Sequence, residues 1–131
     1  MKFMVIVKAT KESEAGTMPT AEEMEAMTKF NEGLGKDGVL LAADGLRPSS
    51  HGARIQFDSE RATVTDGPFA ETKELVAGYW IVQGKSREEV IERFKHAPFH
   101  RGETLEIRPF FQFEDFGELA TPELIERWEK V

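Results

Sequence analysis

The chain has 131 residues, 40% hydrophobic and 31% charged, the proportions of a soluble globular domain long enough to bury its own core. Its 17 basic and 24 acidic residues give a formal charge of −7, and no basic stripe offsets it, which excludes nucleic acid as an expected partner. The absence of cysteine excludes disulfides, thiolate nucleophiles and sulfur-ligated zinc.

Residues 3–7 form a continuous β-favouring run, expected to be a strand buried on both faces. The apolar run at the N-terminus is too short for a signal peptide or a membrane span, and no later run is longer, so the expected location is cytoplasmic. Residues 11–19 read as a polar connection. Thr20-Ala21-Glu22-Glu23 has capping-box spacing, and Met24, Met27, Phe30 and Leu34 follow on one helical face, with residues 35–38 ending the helix. Residues 39–43 are expected to be a second strand. Residues 55–58 and 62–65 read as a hairpin closed near Ser59-Glu60-Arg61, and residues 75–82 as a long strand with Gly78 at its centre. Ser86-Arg87-Glu88-Glu89 repeats the capping box ahead of Val90, Ile91, Phe94 and Ala97, and Pro98 limits that helix. Leu105, Ile107, Phe111 and Phe113 alternate as a last strand, and Thr121-Pro122 opens a terminal helix with Leu124, Ile125 and Trp128 on one face.

The order β-α-β-β-β-β-α-β-α, less one hairpin and the tail, is the βαββαβ pattern of a ferredoxin-like α+β sandwich. The chain is expected to be a single domain over residues 1–131, with residues 113–131 a C-terminal helical extension. Two helices cover only one face of such a sheet, while residues 3–7 and 75–82 are apolar on both. Burial of the second face against another copy about a two-fold axis predicts a homodimer with facing sheets.

The densest cluster of functional side chains is Asp66-Gly67-Pro68-Phe69-Ala70-Glu71-Thr72-Lys73-Glu74, between two strands. In one reading Asp66 closes the turn, Phe69 plugs the core and the remaining charges are solvated. In the other, Asp66, Glu71 and Lys73 are catalytic, because burial raises a carboxyl pKa and a nearby ammonium lowers it, giving a group suited to acid–base work. Phe69 and Glu74 would then contact ligand. Glu106 and Arg108 share the strand parity opposite to Leu105 and Ile107, so they point to the second face, as a structural ion pair or as an anion-binding arginine held by its glutamate. Asp44, at the end of the second strand, faces a cavity mouth or closes a turn. His96 and His100 are four apart, but Pro98 interrupts the helix a metal site would need, so no metal is expected. No nucleophile elbow, dinucleotide fingerprint or haem or flavin motif is present, and no cofactor is expected.

The stretches Gly38-Val39-Leu40-Leu41, Gly45-Leu46-Arg47-Pro48, Thr65 through Glu74, Gly78-Tyr79 and Glu106-Ile107-Arg108-Pro109 together resemble the YCII-related family, in particular its DGPF branch, over residues 1–112. The resemblance implies a dimeric α+β barrel of ferredoxin-like protomers, in agreement with the pattern above. It also implies a link to sigma-70-type transcription factors. YCII-type chains carry a histidine and an aspartate proposed as catalytic. This sequence has no histidine in residues 21–36 and has Ala97 where those chains carry an acid before the proline, so that dyad does not carry over. What transfers by position is Asp66, Glu71, Lys73, Glu74, Glu106 and Arg108. Two functions stay open: a cofactor-independent enzyme acting by acid–base chemistry on a small polar or anionic molecule in the inter-sheet cavity, or a ligand-binding or regulatory module associated with a sigma factor.

Overall fold

A computed structural model describes residues 1–131 and orders them around one antiparallel sheet. β1 (Lys2–Lys8), β2 (Leu40–Gly45), β5 (Val76–Gln83) and β6 (Leu105–Pro109) lie in the order β2-β5-β1-β6. β3 (Ala53–Phe57) and β4 (Ala62–Asp66) form a separate two-stranded hairpin. The helices are α1 (Lys11–Glu14), α2 (Ala21–Lys36), α3 (Arg87–Phe94) and α4 (Pro122–Glu129). The first and third strands of the βαββαβ unit are central, which is the ferredoxin-like arrangement, and α2 and α3 cover one face.

Alternation along β1 decides the faces. Phe3 and Val5 are fully buried, and their partners Val82 and Trp80 on β5 complete the helix-facing core with Leu34, Val90 and Phe94. Trp80 sits centrally, edge-on to Phe94 at 5.1 Å and to Phe30 and Phe99 at 6.0 Å each, and its indole N–H donates to Asn31 Oδ1 at 2.7 Å. Met4, Ile6, Tyr79 and Ile81 take the other parity and remain half-buried on the open face. Both long helices start where their threonine and serine caps predict: Thr20 Oγ1 accepts from the Glu23 N–H, and Ser86 Oγ from the Glu89 N–H. α2 stops at Gly38, which has φ of 71° and leaves Val39 N–H to close on the Leu34 carbonyl.

Three features differ from the sequence reading, the first being that α3 ends at Phe94, short of Ala97. The connection over residues 11–19 contains the single turn α1, because Thr10 and Ser13 cap each other in both directions. The last strand stops at Pro109 instead of running to Phe113. The Phe110 N–H makes a final bond to Lys2 O, and Phe111 then turns out to stack on Phe116 at 5.0 Å, in the 3-10 segment Phe113–Leu119. No helix is long and apolar enough to cross a membrane.

Candidate functional site

At the end of the sheet where β1 finishes and β5 and β6 begin, a wide polar cleft of about 1070 Å³ opens. Its wall is built from α1 and the following connection, the first turn of α2, the 71–74 turn and residues 100–103. The strand ends hold these loops in register: Ala9 N–H bonds to Leu75 O and Lys8 N–H to Thr104 O.

Two carboxylate-centred pairs face this cleft. Thr72–Glu74 is one 3-10 turn, which brings Glu74 beside Glu71. The Glu74 carboxyl, through a shared hydrogen bond and like charge, pushes the Glu71 carboxyl above its usual range, and Arg54 pulls it weakly the other way. The second pair joins residues 77 positions apart: His100 Nε2 lies 2.6 Å from Glu23 Oε2. Glu23 is also the N3 residue of the α2 capping box, its Oε1 accepting from Thr20 N–H at 2.8 Å. The Thr20 N–H first, and His100 second, hold the Glu23 carboxyl below the usual range, while Glu23, and more weakly Glu103, push the His100 imidazole above its ordinary value. Capping therefore fixes the carboxylate that orients the histidine. Lys11, Lys73 and Arg101 supply positive charge to the same cleft. No set of three or more histidine, aspartate or glutamate side chains converges as a metal-binding cluster.

The linkage has a definite sign. Stability from His100 is fully present below its unfolded value, about 6.5, and is lost as pH rises through the raised folded value. Stability from Glu23 is present above its unfolded value and lost as pH falls through its lowered folded one. We expect an NMR titration of the His100 ring to show a midpoint above the ordinary imidazole value. Glu23→Gln should bring it down toward the ordinary value; an unchanged midpoint would show that the pair does not persist in solution.

Of the residues singled out in the sequence, Glu71, Lys73 and Glu74 line the cleft together. Asp66 ends β4 opposite Ala53 and is not on that wall. Phe69 lies under the Arg54 guanidinium, 3.8 Å from ring centroid to Cζ, and so ties the loop to the hairpin. Asp44 lines a smaller cavity of about 380 Å³ with Asn31, Tyr79 and Trp80, and accepts from the Tyr79 hydroxyl at 3.3 Å. Glu106 and Arg108 occupy the open sheet face. Glu106 is 4.0 Å from Lys8, and Arg108 forms no ion pair. The loop is anchored from below: Ser49 Oγ accepts from Phe69 N–H at 3.0 Å and itself donates to the Glu14 carboxylate, which also takes the Ser49 N–H at 2.9 Å.

The residues that sequence reasoning missed are His100, Glu23 and Arg101 as cleft residues. His100 was weighed there only as a metal ligand, and Glu23 only as a cap. No local spacing connects them, because the contact exists only once α2 and the segment after α3 pack on the same face.

Comparison with known proteins gives a match between the YCII-related domain and residues 1–114. Among solved structures, a similar chain is 5-chloro-2-hydroxyhydroquinone dehydrochlorinase (TftG) from Burkholderia phenoliruptrix AC1100, in complex with 2,5-dihydroxybenzoquinone. It is 15% identical, with 87% of this chain and 98% of that one covered and a TM-score of 0.42. No curated protein matches the chain.

Proposed function

The chain belongs to the YCII-related domain family, and on that premise we propose that it performs acid–base chemistry on a small polar molecule in the 1070 Å³ cleft. The observation that carries this reading is the convergence of two titratable pairs, Glu71 with Glu74 and His100 with Glu23, beside Lys73 and Arg101. An anionic group of the ligand sits against Lys73 and Arg101, where a planar guanidinium and an ammonium suit a carboxylate or phosphate. Glu71, kept protonated to higher pH by its neighbour, is the acid; His100, oriented by Glu23, is the proton acceptor. His100 takes one proton from the ligand while Glu71 gives it another, and exchange with water in the open cleft resets both groups; no external cofactor is needed, which makes isomerisation the simplest reaction of this site.

Binding without turnover is the competing reading. Its support is the exposure of Glu71, Lys73, Glu74 and His100 in the single chain, since an open cleft leaves water in contact with the reacting groups. One experiment separates the two. A panel of small carboxylic and phosphorylated compounds is screened by thermal shift, and each compound that binds is followed by NMR for conversion. Binding weakened at least tenfold by Lys73→Ala and Arg101→Ala, with conversion abolished by Glu71→Gln, is the expected result. Binding with no conversion assigns a binding or regulatory module. Binding indifferent to both cations overturns the site.

The same reading includes a homodimer. Met4, Ile6 and Ile81 form an apolar strip on the uncovered sheet face, and a second copy stacked about a two-fold axis covers it. Sedimentation at micromolar concentration is expected to give twice the 14.8 kDa chain mass, and a monomer mass would refute the stacking.

A further inference from the structure

Two parts of the chain are built as half-cores whose large apolar side chains stay exposed. The β3–β4 hairpin is amphipathic by register: Ile55 faces Val64 and Phe57 faces Ala62 on one side, while Arg54 is on the other, over Phe69. Its apolar side is open, with Ile55 58%, Phe57 78% and Val64 64% exposed. A two-stranded hairpin is marginal in water unless a helix or further strands cover its apolar face. The second half-core is the C-terminal segment from Phe113 onward. There Phe113, Phe116, Leu119, Leu124, Ile125 and Trp128 wall an apolar cup of about 380 Å³, with Leu119 78% and Trp128 67% exposed. α4 buries no residue.

The topology keeps the two apart within one chain. The hairpin follows β2 at one edge of the sheet, and the tail leaves β6 at the other, three strand spacings away, about 14 Å. Resting on the stacked dimer proposed above, a two-fold axis parallel to the strands lays the β6 edge of one copy across the β2 edge of the other. We propose that the C-terminal segment of each protomer, residues 113–129, covers the apolar face of the partner's β3–β4 hairpin, so that two reciprocal clasps close the dimer. Area favours the match: covering these large side chains twice removes on the order of 1,500 Å² from water, within the range of stable specific interfaces. A consequence reaches the cleft, because the clasp holds the hairpin whose Arg54 stacks on Phe69 and acts on Glu71.

The chain has no cysteine, so introduced thiols report without background. Differently tagged Phe57→Cys and Trp128→Cys chains, both positions being exposed, are mixed, allowed to exchange subunits and treated with a short bis-maleimide. The expected product is a crosslink joining the two tagged chains, with Trp128→Glu raising the dimer dissociation constant at least tenfold by sedimentation. A crosslink only between two Trp128→Cys chains overturns the clasp, as does a monomer-mass crosslink within a Phe57→Cys/Trp128→Cys chain. Dimer mass with no crosslink overturns the clasp and leaves the stacked sheets standing, whereas monomer mass for the unmodified protein overturns both.

Discussion

Gly67→Ala is expected to lower unfolding stability by about 3 kcal/mol or more in urea titrations, a large overpacking effect for a single methyl group. A Cβ at Gly67 would lie 1.8 Å from the Ser49 carbonyl oxygen and 2.7 Å from its carbon, and both are backbone atoms that cannot rotate away. The Gly67 N–H also bonds to Gly52 O at 2.9 Å, so relief of the clash breaks the loop from its anchor. Gly52→Ala is the matched control: its Cβ meets the same Ser49 oxygen at 3.4 Å, near ordinary contact, and the expected cost is within about 0.5 kcal/mol. Equal midpoints for the two variants would refute the close-approach account. Because Glu71, Lys73 and Glu74 hang from this loop, Gly67→Ala should also weaken any ligand that depends on Lys73.

Trp80→Ala is expected to cost about 3–5 kcal/mol, the range for removing a large aromatic from a packed core. Trp80 is 4% exposed, touches three phenylalanine rings and underlies both α2 and α3. Trp80→Phe separates packing from polarity, since the ring survives while Asn31 Oδ1 loses its donor, at an expected cost of about 1–3 kcal/mol. The protein has 2 tryptophans, and Trp128 is exposed. In a Trp128→Phe background the fluorescence of Trp80 alone should be blue-shifted and should move red on unfolding. Red-shifted emission from the native state would show that Trp80 is not in the core.

The order of elements and their starts was legible because it rests on local chemistry. Thr20 with Glu23, and Ser86 with Glu89, announce the two long helices through hydrogen bonds three residues apart. The apolar run of residues 3–7 announced a strand, but its two faces are equally apolar, and only the helices packed on Phe3 and Val5 decide which parity is core. Even the opposition of Glu106 to Ile107 followed from parity alone, and the structure places Glu106 and Arg108 on the open face. The motif around Gly67 pointed to Glu71, Lys73 and Glu74, which share one turn and therefore one wall.

What lay beyond local chemistry needed contacts between distant residues. Alternation alone cannot say that a strand stops at Pro109, because Phe111 and Phe113 keep the pattern while the chain has already left the sheet. Glu23 has the same capping spacing whether or not a histidine sits 77 residues later, so the pairing with His100 is a property of how α2 packs beside residues 100–103. Asp66 and Glu71 are five residues apart in sequence, yet only the second reaches the cleft, since the ladder to Ala53 holds Asp66 on the hairpin. Periodicity and capping, which act over three or four residues, determined the elements of this protein. The selection of side chains that face one another was decided by packing, where sequence distance carries no information.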